Sequence, residues 1–187
     1  MKKRILITAG GTATAWHISK TIKEKLNKYF EVFICDINEK EFVASSINAN
    51  HFLQVPRIDV DNYYKYMIEL LKSHQIDIIV PLIDKDLHFF YKDNDDLNKL
   101  NIVSTAPTKD LLMKMSDKHN INKQCKELGI KVPVEYSLSE IEHEKEYFIK
   151  PLDGFGSVGA KRIYGKDILN NPTIHHGMII QELCEKP

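Results

Sequence analysis

The chain has 187 residues, long enough for one large domain or two small ones, and 43% of them are hydrophobic, which supplies a buried core. Its 26 basic and 26 acidic residues balance, so no strong overall field draws it to nucleic acid or to an anionic membrane, and neither partner is expected. Three cysteines, Cys35, Cys125 and Cys184, are odd in number and lack metal-ligand spacing. They argue against a disulfide framework and read as reduced, buried thiols of a cytoplasmic protein.

The chain opens on Arg4 to Thr8, a short apolar run too brief for a signal peptide or a membrane span. It stops at Ala9-Gly10-Gly11, and Ala15, Ile18, Ile22 and Leu26 follow at helical spacing. A second strand is expected over Glu31 to Asp36. This strand, turn, helix, strand order predicts a parallel sheet.

A dinucleotide site suggests itself here, because Asp36 ends the second strand where an acid can hold a ribose. The run Gly10-Gly11-Thr12-Ala13-Thr14-Ala15 departs from the Gly-x-Gly-x-x-Gly order, however, so the glycines read instead as a turn beside a small-molecule cleft. An NAD-dependent protein built on this front domain stays as a rival.

Further on, a short helix is expected over Glu39 to Ile47 and a strand over His51 to Gln54. Asp59 is placed to cap a helix carrying Tyr63, Met67 and Leu71 on one face. Ile76 to Val80 reads as a strand covered on both faces. Asp84 and Asp86 fall just beyond its end, where they serve either a substrate or, the favoured reading, the start of a helix. Asp93 to Asp96 reads as a solvated turn, and Asn101 to Val103 as a fifth strand.

Ala106-Pro107-Thr108 marks a domain boundary. Helices are expected over Lys109 to Met115 and Asp117 to Leu128, with Gly129 at the C-cap, then a strand near Val134 to Tyr136. Tyr147 to Lys150 reads as a strand that sets Lys150 at the mouth of a loop with Gly154, Gly156 and Gly159. Glycines at that density can aim several N–H groups at one anion, although a plain hairpin turn remains the alternative. Ala160 to Ile163 returns as its antiparallel partner, and Met178 to Glu182 forms a last strand. The adjacent His175 and His176 read as loop residues rather than metal ligands.

Three separated signals now stand in one order. They are Ser116-Asp117-Lys118 opening a helix that ends at Gly129-Ile130-Lys131-Val132-Pro133, then Phe148-Ile149-Lys150-Pro151 with its glycine loop, then Ile180-Gln181-Glu182. Together they resemble the ATP-grasp superfamily, and more narrowly its carbamoyl-phosphate-synthase large-subunit-like members. The resemblance covers essentially the whole chain. It implies an α/β protein: a Rossmann-like, parallel-sheet pre-ATP-grasp domain over residues 1–107, then an α+β ATP-grasp lobe over 108–187, truncated before the catalytic lobe.

The resemblance also implies roles. Lys118 and Lys150 approach the nucleotide phosphates, where cations disperse developing charge. Gly154, Phe155, Gly156, Ser157, Val158 and Gly159 close above ATP. Glu182 accepts a hydrogen bond from the adenine amino group, and the backbone of Leu183 and Cys184 reads the ring edge. ATP and Mg²⁺ are the implied cofactors, with the metal ligands expected beyond Pro187 and no catalytic or metal-binding residue within the chain. In complete family enzymes a small-molecule carboxylate becomes an acyl phosphate, which an amine or other nucleophile attacks. This chain alone is expected to contact ATP weakly and not to turn over unless a homodimer, a partner or a further segment completes the cleft. The alternative is a non-catalytic nucleotide-binding or regulatory module lacking the metal-binding lobe.

Overall fold

A computed structural model describes residues 1–116, 118–152, 157–171, 173 and 176–184. It divides into two compact units, residues 1–112 and 113–187.

In the first unit β1 (Lys3–Ile7), β2 (Phe30–Asp36), β3 (His51–Gln54), β4 (Ile78–Val80) and β5 (Val103–Ser104) form a five-stranded sheet in the order β3-β2-β1-β4-β5, all neighbours parallel. The central strands are apolar on both faces because both are covered. Ile5, Ile7, Val32 and Ile34 pack with Ala15 and Ile22 of the first helical segment. Leu6, Phe33 and Ile79 pack on the other side with Tyr63, Met67 and Leu71 of α2 (Tyr63–Ser73). α1 (Ala13–Thr21) is capped by Thr12, whose hydroxyl accepts from Ala15 N at 3.1 Å.

Several local expectations shift. The helix expected over Glu39 to Ile47 is two 3₁₀ turns, Lys40–Phe42 and Ala44–Asn48, separated by an extended Val43 that is buried. The Ser45 hydroxyl donates to Gly10 O at 2.6 Å, a bond that competes with regular helix. Asp59 does not cap α2. Asn62 stands at that position, while Asp59 takes the Arg57 guanidinium at 3.2 Å. The fifth strand begins only at Val103 because Asn101 adopts φ 55° in the preceding turn. α3 (Asp84–Phe89) and α4 (Asp95–Lys99) lie between β4 and β5, and Asn94 caps α4 through bonds from the Asp96 and Leu97 N–H groups.

α5 (Lys109–Ser116) runs across the division, and α6 (Lys118–Glu127) ends at Gly129, which takes the φ of 73° that a helix C-terminus favours. In the second unit β6 (Glu146–Pro151) is the centre of a three-stranded antiparallel sheet, β7-β6-β8, with β7 (Lys161–Tyr164) and β8 (Met178–Glu182) at its sides. Tyr147, Ile149, Ile163 and Ile180 share one face and bury it against Ile168 of α7 (Gly165–Leu169). Val134 to Tyr136 runs beside β8 as a single bridge, Glu135 to Gln181, rather than as a full strand. Among the described residues no helix is long and apolar enough to cross a membrane. Of the cysteines expected to be buried only Cys35 is. Cys125 is half-buried, and Cys184, beyond the end of β8, is exposed.

Candidate functional site

Side chains directly opposite one another in an antiparallel pair share a face. The register pairs Lys150 with Ile179 and Phe148 with Gln181, and it pairs Tyr147 with Glu182 and Ile149 with Ile180. Lys150 therefore shares its face with Gln181, while Glu182 lies on the face of the apolar core. By this parity the Lys150 and Glu182 side chains lie on opposite faces of the sheet. The Glu182 carboxylate is engaged at the sheet edge, accepting from Val134 N at 3.1 Å, while Glu182 N donates to Val134 O at 2.8 Å.

The face that carries Lys150 also holds Phe148, Ile179 and Gln181, and Lys118 of α6 reaches the end of β6. The Lys118 ammonium donates to the backbone oxygens of Pro151 and Leu152, each at 2.7 Å, and so fixes the backbone just after Lys150. Asn122 of α6 donates to Glu135, the residue bridged to Gln181. Lys150 itself is half-buried and makes no hydrogen bond or ion pair to any described residue. Gln181 is 2% exposed, and its Nε2 is buried without a hydrogen-bond partner among the described residues. A native fold rarely leaves such a donor unmet, and leaving one costs about 1–3 kcal/mol. Sequence reading passed over Gln181 in favour of its acidic neighbour. Alternation along one strand does not reach it, because the parity of β8 relative to Lys150 is set by the β6–β8 register.

Of the expected lid, Gly154, Phe155 and Gly156 lie outside the described residues. Ser157 takes φ 60° and Gly159 φ 78°, a pair of left-handed positions in the connection to β7. Val158 between them is 75% exposed. A Cβ on Gly159 would come within 3.0 Å of the Pro151 ring, so both the conformation and the close approach call for glycine. Leu183 is half-buried and Cys184 exposed beyond β8.

In the first unit, Asp36, at the end of β2, accepts from Gly11 N at 2.7 Å and from Asn38 N and Nδ2 at 2.9 and 2.8 Å, and so ties down the turn of Gly10 and Gly11. Asp84 is exposed at the start of α3, as the helix-start reading holds, but Asp86 turns inward and is 1% exposed. Burial raises the Asp86 carboxyl above its ordinary range, opposed by the hydroxyls of Thr8 and Tyr63 that donate to it. The same burial pushes the Cys35 thiol up, and the neighbouring Asp86 and Asp36 carboxylates add to it, so Cys35 stays protonated and inert.

A family model described as PylC-like, N-terminal domain matches residues 5–105, more than half of the chain. The chain belongs to the PylC-like N-terminal domain family. This family, together with the solved structures of the same fold, identifies the chain as an ATP-grasp protein, and the five-stranded unit of the PylC-like chain matches the N-terminal domain of ATP-grasp enzymes. No curated protein sequence matches it. Among solved structures, the biotin carboxylase domain of the Hydrogenobacter thermophilus 2-oxoglutarate carboxylase, in complex with MgADP, ADP and bicarbonate, is 16% identical with a TM-score of 0.71, over 99% of this chain and 45% of that one. Rhizobium etli pyruvate carboxylase with acetyl coenzyme A is 16% identical with a TM-score of 0.69, over 98% of this chain and 18% of that one. The L-amino acid ligase of Bacillus licheniformis is 14% identical with a TM-score of 0.66, over 100% of this chain and 45% of that one. The PylC-like chain thus spans less than half the length of each of these proteins.

Proposed function

We propose that the second unit is the phosphate- and base-contacting lobe of an ATP-dependent carboxylate–amine ligase of the carbamoyl-phosphate-synthase-like ATP-grasp type. ATP and Mg²⁺ are its cofactors in this reading, and a small-molecule carboxylate and a nucleophile its substrates. The observation that carries it is one sheet face with two groups unmet among the described residues, the Lys150 ammonium and the buried Gln181 Nε2. A cation and an amide donor fit a nucleotide's phosphates and base. Among the described residues no three His, Cys, Asp or Glu side chains converge to hold a metal, so no magnesium ligand is assigned to them.

Bound ATP would supply the phosphoryl group that activates the carboxylate as an acyl phosphate. The chain's own part is electrostatic and positional. Lys150 neutralises phosphate charge, and no described carboxylate pairs with it. Lys118 acts one step back, holding the Pro151 and Leu152 carbonyls so that the chain leaves the sheet in a fixed direction. Gln181 reads the base: its amide oxygen accepts from an exocyclic amine while Nε2 donates to the adjacent ring nitrogen, a pairing that suits adenine. The backbone of Leu183 and Cys184 follows along the ring edge, and Glu182 keeps the sheet edge closed.

Calorimetric titration of the chain with Mg-ATP tests this. Lys150→Ala should weaken binding by about tenfold or more, a loss of ~1.4 kcal/mol or more. Equal affinity in both proteins removes Lys150 from the site. Glu182→Gln separates the two base-reading assignments: unchanged affinity supports Gln181, and a marked loss returns the role to Glu182.

A further inference from the structure

A second concavity, of about 350 Å³, lies wholly within the first unit, at the carboxyl ends of β1, β2 and β3. Gly11 and Thr12, Asp36 to Asn38 and Val55 to Ile58 contribute to its wall. Open parallel sheets bind ligands outside the carboxyl ends of their strands, near the point where the strand order reverses. Here the order β3-β2-β1-β4-β5 reverses at β1.

Asp36 sets the chemistry of this crevice. Its Oδ1 accepts two hydrogen bonds from Asn38, the backbone N–H and the side-chain amide, and both lone pairs are taken. Among the described residues its Oδ2 accepts only from Gly11 N, at 2.7 Å, which leaves one lone pair on an oxygen that the Asn38 clamp holds still. A fixed acceptor of this kind at the end of the second strand suits a sugar hydroxyl, which donates to it without bringing a second charge. Beside Arg57, the flanking wall carries Ile37, Pro56 and Ile58, whose aliphatic surfaces offer contact to an aromatic ring.

The crevice does not suit a dinucleotide. The Thr12 hydroxyl already occupies the first turn of α1 by accepting from Ala15 N, and Thr12 itself stands where close pyrophosphate approach needs glycine. We propose that it binds a riboside, with one of its vicinal hydroxyls donating to Asp36 Oδ2 and the base against Ile37, Pro56 and Ile58. This site is independent of the nucleotide face on the second unit.

The test is an amide-resolved NMR titration of the full chain with adenosine and with 2′,3′-dideoxyadenosine. Adenosine should move the Gly11 and Asn38 resonances saturably, and the dideoxy analogue should bind about tenfold or more weakly because it lacks the donors Asp36 needs. Gly11→Ala gives a second arm. Gly11 has no positive φ, so alanine is tolerated by the backbone, but its Cβ would stand 3.3 Å from Asp36 Oδ2 and crowd the accepting oxygen. That variant should keep the rest of the spectrum and lose the saturable shift. Absence of a saturable shift at Gly11 and Asn38, equal affinity for the two nucleosides, shifts confined to Lys150 and Leu152, or undiminished binding by Gly11→Ala would each overturn the proposal.

Discussion

The two units treat their polar groups differently. In the first, the strand-end acids are answered from within: Asp77 takes the Lys3 ammonium at 2.6 Å and Arg4 N at 2.8 Å, Asp36 takes Gly11 and Asn38, and buried Asp86 takes the Tyr63 hydroxyl at 2.9 Å. In the second, one sheet face carries a lysine with no partner among the described residues and a buried amide nitrogen with none. Polar groups matched inside the fold hold geometry. Groups left unmatched at some cost in stability point to a ligand that matches them.

Packing substitutions probe the frame on which each set of polar groups sits, and they should have the largest effects. Leu71 is fully buried in the α2 face of the first unit, and Leu71→Ala should lower stability by about 2–5 kcal/mol in urea denaturation. In the second unit a Cβ on Gly165 would meet Glu142 O at 2.0 Å, a backbone atom that cannot swing aside. Gly165→Ala should therefore cost about 1–3 kcal/mol or more, read as lost amide protection at Tyr147 and Ile149. Protection that persists at those amides would mean the α7 connection is softer than its packing indicates.

A smaller change should sharpen the contrast, because its two readouts move in opposite directions. Gln181→Leu keeps the side-chain bulk and deletes the unmet donor, so the free protein should gain about 1 kcal/mol of stability while Mg-ATP binding weakens. Loss of stability with unchanged binding would make Gln181 an ordinary internal residue and dissolve the distinction between the units.

The sequence carried the frame well because the frame is periodic. β3 and β8 fall within the expected bounds, and the apolar spacing of Tyr63, Met67 and Leu71 marked the buried face of α2. Irregular structure was less legible. Val43 splits an expected helix because its burial against the Gly10 turn outweighs local propensity, and the Ser45 hydroxyl bonds Gly10 O from across the chain. The face-sharing of Lys150 and Gln181 needed the register of β6 against β8, which depends on a connection of unspecified geometry between them. Glu182 was read as the base acceptor from its position in the family pattern, and the bond its carboxylate accepts from Val134 N is visible only in the structure.

The mildest expected effect concerns how completely the first unit satisfies its own acids, and it turns on pH. Burial raises the Asp86 carboxyl above the value it has in the unfolded chain, so between those two values the folded protein binds the proton more tightly than the unfolded one does. Stability must then fall as pH rises from about 4 through the raised value, and level off above it. Asp77 works in the opposite sense. The Lys3 ammonium bonded to it and the Arg4 N–H lower its carboxyl, so its contribution is held above the ordinary carboxylate range and lost as pH falls through the lowered value. Asp86→Asn keeps an acceptor for the Tyr63 hydroxyl but cannot ionise. Urea midpoints for this variant should lose the decline on the alkaline side of pH 4 and keep the acid-side loss due to Asp77. A decline of undiminished size in Asp86→Asn would mean that the Thr8 and Tyr63 hydroxyls fully offset the burial of the carboxylate, leaving the first unit with no electrostatic cost at its sheet edge.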